Sequence, residues 1–189
     1  MSEEEKMLAG EIYDANYDKE LLEKRLHAKE LCKKFNECDV RDLESKKKIL
    51  EDLFQKKIEI MGIEPNFYCD YGFNIILGKN FYSNHNLVIL DANKVEFWND
   101  VFIGPNCGFY TSGHPLNYEA RNKGLEYAKT IKVGNNVWIG GNVCVMPGVT
   151  IGDNVVIGAG SVVTKDIPSN VVAVGNPCKV LKSIEKRED

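Results

Sequence analysis

The sequence predicts a mainly β protein: a parallel solenoid of triangular coils, preceded by an α-helical segment. Three observations carry this expectation. Residues 131–166 divide in register into the hexapeptides IKVGNN, VWIGGN, VCVMPG, VTIGDN, VVIGAG and SVVTKD. Their first and third positions are aliphatic except for Ser161, and their sixth is always Gly, Asn or Asp. Residues 1–61 lack this pattern and carry Glu, Lys and Leu at helical spacing.

The repeat has a direct physical reading. Aliphatic positions two apart put both side chains on one face of an extended segment. Gly, Asn and Asp best tolerate the left-handed backbone of a tight corner. Each hexapeptide is therefore one short strand and one corner, and three of them close a triangular coil with an aliphatic interior.

In the N-terminal segment, Leu21, Leu22, Arg25, Leu26 and Ala28 to Leu31 share a helical spacing, as do Leu43, Ile49, Leu50, Leu53 and Phe54. Asp18 and Asp42 are expected helix starts, with a turn near residues 36–39. Two or three helices placed here would cap a solenoid end that otherwise exposes strand edges and core. Pro65 and Asn66 mark the passage to β structure. The six-residue phase is loose through Ile75–Leu77 and Leu87–Leu90, and tightens at Phe97, Val101, Ile103 and Cys107. Residues 108–130 break the repeat and read as a loop excursion, of the kind often found on a binding face. Residues 167–189 read as a tail ending in a short charged helix or strand. The expected plan is a helical segment at 1–61 and a β-solenoid at 62–189.

Composition excludes several classes. The chain has 189 residues, 43% hydrophobic and 28% charged, with a net charge of −4. That balance, with no basic tract, argues against nucleic-acid binding. No apolar run approaches the ~20 residues of a membrane span. The start, MSEEEKM, lacks a signal peptide's apolar centre, so a cytoplasmic location is the expectation. Cys32, Cys38, Cys69, Cys107, Cys144 and Cys178 are widely spaced without a CxxC pair and are expected to be reduced.

Of the histidines His27, His85 and His114, the last stands at the root of the excursion, held between Gly113 and Pro115. Imidazole is the side chain best suited to act as a base near neutral pH, which makes His114 the candidate catalytic residue. Asp70, Asn84, His85 and Asp91 are polar residues in an apolar-rich stretch, at corners, on the surface or in a site. Lys165, Lys179 and Lys182 gather near the C-terminal end, where they could pair with phosphates.

The stretches MLAGEIYDA (7–15), CDYGFNI (69–75), NFYSNHNLVILD (80–91), TSGHPL (111–116), KGLEYAKTIKVGNNVWIGGNV (123–143) and GAGSVVTKDIPSNVVAVGNPCKV (158–180) resemble the maltose and galactoside O-acetyltransferases. MLAGEIYDA and GLEYAKT lean toward the maltose branch. The resemblance implies a left-handed β-helix, transfer of acetyl from acetyl-CoA to a sugar hydroxyl, no metal, and a homotrimer with its sites between subunits. Position by position it implies His114 as general base; Asp14, Asp70, Asn84, Asp91 and Glu126 at or beside the acceptor; and Trp138, Gly141, Ala159, Thr164, Lys165, Lys179 and Lys182 along the CoA. The galactoside branch has arginines where Lys179 and Lys182 stand, so charge is kept here but the bidentate fork is lost. Other readings are acetylation of an antibiotic or another non-sugar hydroxyl, a non-catalytic β-helix scaffold, and a zinc-dependent hydratase on the same fold. The last needs three histidines on one metal, and His27 lies in the helical segment.

Overall fold

In the computed structural model, which describes residues 1–185, three helices precede a parallel β-solenoid. Helix α1 spans Glu3–Ala9, α2 Lys19–Glu37 and α3 Leu43–Phe54. Ser2 caps α1 with a capping box closed by Glu5. Asp18 and Asp42 cap α2 and α3 through their carboxylates, as their short acceptor side chains favour. Helix α2 ends at Glu37, within the turn region read from the sequence.

The cap and the coils share one core. Ala28, Leu31, Cys32 and Phe35 of α2 and Leu50, Leu53 and Phe54 of α3 belong to the same buried cluster as the aliphatic columns of the repeat. Phe67 of the first coil is the keystone: Phe35 and Phe54 meet its ring edge-on at centroid distances of 6.4 and 5.9 Å.

Three parallel sheets form the solenoid walls, with four, seven and five strands; the last strand of the seven, Lys179–Ser183, joins antiparallel. In the regular repeat, Lys132 pairs with Thr150, Trp138 with Val156 and Cys144 with Val162, a coil of eighteen residues. The earlier coils are equally regular but longer. Gly62 pairs with Tyr82, Tyr82 with Phe102 and Val88 with Gly108, a spacing of twenty. Corner side chains follow that spacing: Asn80 Nδ2 donates to Asp100 Oδ1 at 2.8 Å, and Asn86 Nδ2 to Asn106 Oδ1 at 2.9 Å. The loose phase of residues 67–101 is thus a second period, produced by two extra residues at one corner.

The excursion leaves from that same corner. Gly108–Tyr110 is still a coil strand, paired with Leu87–Leu90 and Cys144–Val145, so the chain departs at Thr111 rather than at 108. It returns before Ile131, which pairs with Val95. At the other end the coil continues past Asp166: Ile167 bridges Ile151, and Val155 pairs with Val171, sixteen residues on. The expected tail is therefore one more, smaller coil, followed by the strand Lys179–Ser183; residues 186–189 of that tail lie outside the described residues. Among the described residues no helix is long and apolar enough to cross a membrane.

Candidate active site

The enlarged corner is held by buried polar side chains. Asp91 Oδ1 accepts from the amides of Asp70 and Tyr71 at 3.0 and 2.8 Å, and Oδ2 from that of Gly72 at 2.7 Å. The Thr111 hydroxyl donates to Leu90 O at 2.6 Å and accepts from the Asn93 amide at 2.9 Å. Asn93 Nδ2 donates to the carbonyls of Met7, Leu8 and Ala128, which ties α1 and the returning excursion to the coil. Buried polar groups of this kind are tolerated only when fully partnered, and a satisfied network fixes one geometry.

On this base the excursion folds into a small antiparallel sheet. Strand Leu125–Ala128 pairs on one side with Ser112–Gly113 and on the other with Tyr13–Asp14, in the order 13–14, 125–128, 112–113. A Cβ on Gly113 would lie 2.6 Å from the Tyr127 ring, so glycine is what lets the strand before His114 pack there. Helix α4, Tyr118–Asn122, lies between the strands.

A pocket opens over this sheet, lined by Tyr13, Ala15, Asn16, Arg25, Lys29, Asp70, Tyr71, Leu90, Ala92, Ser112, His114 and Glu126. His114 Nδ1 lies 3.2 Å from Leu125 O. A carbonyl only accepts, so Nδ1 carries a hydrogen, and in the neutral ring the lone pair is on Nε2. Glu126 Oε1 stands 3.7 Å from Nε2, placed to stabilise an imidazolium. The other oxygen of Glu126 accepts from the Tyr13 hydroxyl at 2.9 Å. Burial and the Glu126 charge push the Tyr13 phenol up, keeping it a donor. Arg25 donates to the Tyr71 hydroxyl at 2.7 Å and to Ala15 O at 2.6 Å. Burial lifts the Asp70 carboxyl to about 6, against the pull of Arg25.

The structure brings His114, Asp70 and Glu126 together and separates the rest. Asp91 is corrected: it is fully buried and its carboxylate is spent on three amides, so it shapes the Asp70 turn instead of facing an acceptor. Asp14 accepts from the amides of Asn16 and Tyr17 and so folds its own loop, while Tyr13, Ala15 and Asn16 face the pocket. Asn84 follows strand Tyr82–Ser83 of the seven-stranded sheet, its side-chain Oδ1 accepting from the His85 amide at 2.8 Å. On that sheet the register runs Tyr82, Phe102, Trp138, Val156, Val172, Lys182, with Lys179 opposite Val174. Trp138 is 59% exposed, and Thr164, Lys165, Lys179 and Lys182 are exposed. Ala159 is exposed at the corner after Ile157. Gly141 is not open space: a Cβ there would lie 3.2 Å from Pro105 O, so the stacking of coils already disfavours a side chain.

Arg25, Tyr13 and Tyr71 were not expected as pocket residues. Arg25 did leave a signal. It occupies a position in the stripe Leu21, Ala28, Cys32 and Phe35 that α2 turns inward. A charge at an apolar position of a helix needs partners, and here they are in the pocket.

A triangular hexapeptide coil, with a histidine on an excursion from an enlarged corner, defines a hexapeptide-repeat β-solenoid. Comparison with known proteins narrows this. Residues 6–57 match the family described as maltose acetyltransferase hexapeptide capping motif, and residues 130–165 match bacterial transferase hexapeptide (six repeats). The structure is similar to a maltose O-acetyltransferase from Clostridium difficile 630, with a TM-score of 0.93 and 49% identity, covering 98% of this chain and 99% of that one. The galactoside O-acetyltransferase of Escherichia coli K12 is 44% identical, over 97% of this chain and 90% of its own. A hexapeptide-repeat acetyltransferase of Vibrio cholerae, complexed with acetyl coenzyme A, is 35% identical with a TM-score of 0.89, covering 98% of this chain and 100% of that one. The chain belongs to the maltose and galactoside O-acetyltransferase family of hexapeptide-repeat acetyltransferases.

Proposed function

We propose that this acetyltransferase moves an acetyl group from acetyl-CoA to a hydroxyl of a sugar-type acceptor, with His114 as the general base. The observation that carries the proposal is the Nδ1 contact to Leu125 O, which leaves the Nε2 lone pair in a pocket with Asp70 and Glu126. Nε2 takes the proton of the acceptor hydroxyl as its oxygen attacks the thioester carbonyl. The tetrahedral centre collapses, the carbon–sulfur bond breaks, and the imidazolium returns the proton to the departing thiolate. Glu126 supports the positive charge meanwhile. Transfer is direct, so no cysteine serves as nucleophile. Asp70, Glu126, Arg25 and Tyr13 supply a ring of donors and acceptors suited to a polyhydroxyl ligand.

The residues implied for CoA fit that ligand chemically. Lys182 shares a register row with Trp138, three strands along, and Lys179 lies on the same strand as Lys182, so cations for phosphates stand on the same sheet as an exposed aromatic face. Trp138, Lys179 and Lys182 are on the seven-stranded sheet, with Asn84 just past its strand Tyr82–Ser83; Thr164 and Lys165 follow Val162–Val163 of the five-stranded sheet, and His114 stands on the excursion. A complete site therefore joins the His114 pocket of one copy to the Asn84–Trp138 face of another, in a homotrimer. Leu116, two residues from His114 and 96% exposed, is the kind of apolar side chain such an interface covers.

Thiol release from acetyl-CoA, measured with glucose, maltose, galactosides and chloramphenicol, tests the proposal. Acetylation of a sugar is expected, and His114→Ala is expected to lower kcat by roughly 10²–10⁴-fold. Near-normal turnover in that variant would remove His114 from the chemistry; preference for chloramphenicol would reassign the acceptor.

A further inference from the structure

Away from the catalytic pocket, α2 and the first coil bury two thiols against each other. Cys32 Sγ and Cys69 Sγ are 3.7 Å apart, on residues 1% and 6% exposed. Among the described residues theirs is the one cysteine–cysteine contact in hydrogen-bonding range; all six cysteines are free. A cavity reaches both residues between α2 and strand Phe67–Cys69, and Lys29 and Lys33 stand at its wall. We propose that Cys32 and Cys69 form a reversible oxidation site, closed to a disulfide by a hydroperoxide and reopened by a small thiol.

The geometry and the hydrogen bonding of the pair suit this chemistry. A disulfide has sulfurs about 2.05 Å apart, so the pair must close by about 1.7 Å in total, within reach of small side-chain and helix adjustments. Lys29 and Lys33 line the same cavity as Cys32, while the Asp91 and Asp70 charges oppose its thiolate, the reactive form. The hydrogen bond from Cys69 holds Cys32 below the ordinary thiol range, while that bond and burial push Cys69 up. Cys32 is thus the attacking sulfur. Its thiolate displaces hydroxide from the peroxide, forming a sulfur–oxygen bond as the oxygen–oxygen bond breaks. Hydroxide takes the Cys69 proton to give water. The Cys69 thiolate then attacks the Cys32 sulfenic sulfur, forming the sulfur–sulfur bond and expelling a second hydroxide, which is protonated to water. Two thiols lose two electrons, and the peroxide gains them.

The bond would join the helix that carries Arg25 to the residue before Asp70. Its effect on acceptor KM rests on the acceptor reading above; the crosslink itself does not. The experiment exposes the native full-length protein to hydrogen peroxide, blocks free thiols, digests without reductant and identifies peptides by mass. A peptide joining Cys32 to Cys69, lighter by two hydrogens and separated by dithiothreitol, is expected, together with a rise in Tm of about 5–10 °C. Cys69→Ser should trap Cys32 as sulfenic acid, seen with dimedone, and gain no Tm. The proposal is overturned if both thiols stay alkylatable after other cysteines oxidise, or if the crosslink forms no faster in native protein than in urea. A crosslink that leaves acceptor KM unchanged would keep the site and sink only its link to the pocket.

Discussion

Mixing two inactive variants gives the most searching test of where the active site is assembled. His114 stands on the excursion, and Asn84 follows strand Tyr82–Ser83 of the seven-stranded sheet, whose row through Tyr82 carries Trp138. His114→Ala removes the proposed base from one half, and Asn84→Ala alters the other. If each site takes His114 from one copy and Asn84 from its neighbour, subunits exchanged at equal ratio combine at random. A site is intact when the first copy has its histidine and the second its asparagine, each with an even chance, so about one quarter of sites recover. The assay is thiol release after the two variants are unfolded together in urea and refolded, with each refolded alone as control. About one quarter of wild-type turnover is expected, against near-background turnover for each alone. Turnover no greater than the mean of the two controls would refute a shared site, because a site built within one chain always retains a defect.

Three further outcomes follow from the pocket and its foundation. Burial lifts Asp70 to about 6, so this group is neutral below that pH and a carboxylate above it; kcat/KM for the acceptor should rise as pH climbs through about 6, and Asp70→Asn should remove this group's share of the rise in a pH–rate profile, leaving the limb that belongs to the general base. Because its folded pKa lies above the ordinary carboxylate value, protonation stabilises the fold, and thermal melts should show Asp70→Asn gaining stability at pH 8 while differing little near pH 4. Asn93→Ala strands the carbonyls of Met7, Leu8 and Ala128 and the Thr130 hydroxyl; urea unfolding should show a loss of about 2–4 kcal/mol, and an unchanged midpoint would mean the corner does not depend on this hub.

Much of the frame was legible in one dimension. The hexapeptide columns announce coils because a two-residue alternation and a left-handed corner are both local demands, met by residue type alone. Asp18 and Asp42 announce helix starts for the same reason. The longer early coils were obscured because their two extra residues fall at a single corner, which shifts the phase without changing the strands. Asp91 was misread for a related reason: an acidic residue in an apolar stretch looks the same whether it faces a ligand or holds three amides beneath one.

The sequence by itself determined the coil, the helical cap, the place where the repeat breaks and the histidine that stands there. Only the tertiary structure decided which ring nitrogen of His114 is free, since that depends on the carbonyl of Leu125, eleven residues away. It also placed Arg25 and Tyr13 in the pocket, set Asn84, Lys179 and Lys182 along another sheet, and brought Cys32 against Cys69 across thirty-seven residues. Local propensity fixes what each segment becomes. Which side chains then share a cavity depends on how long each coil runs and where the excursion folds back, and those are properties of the packed whole.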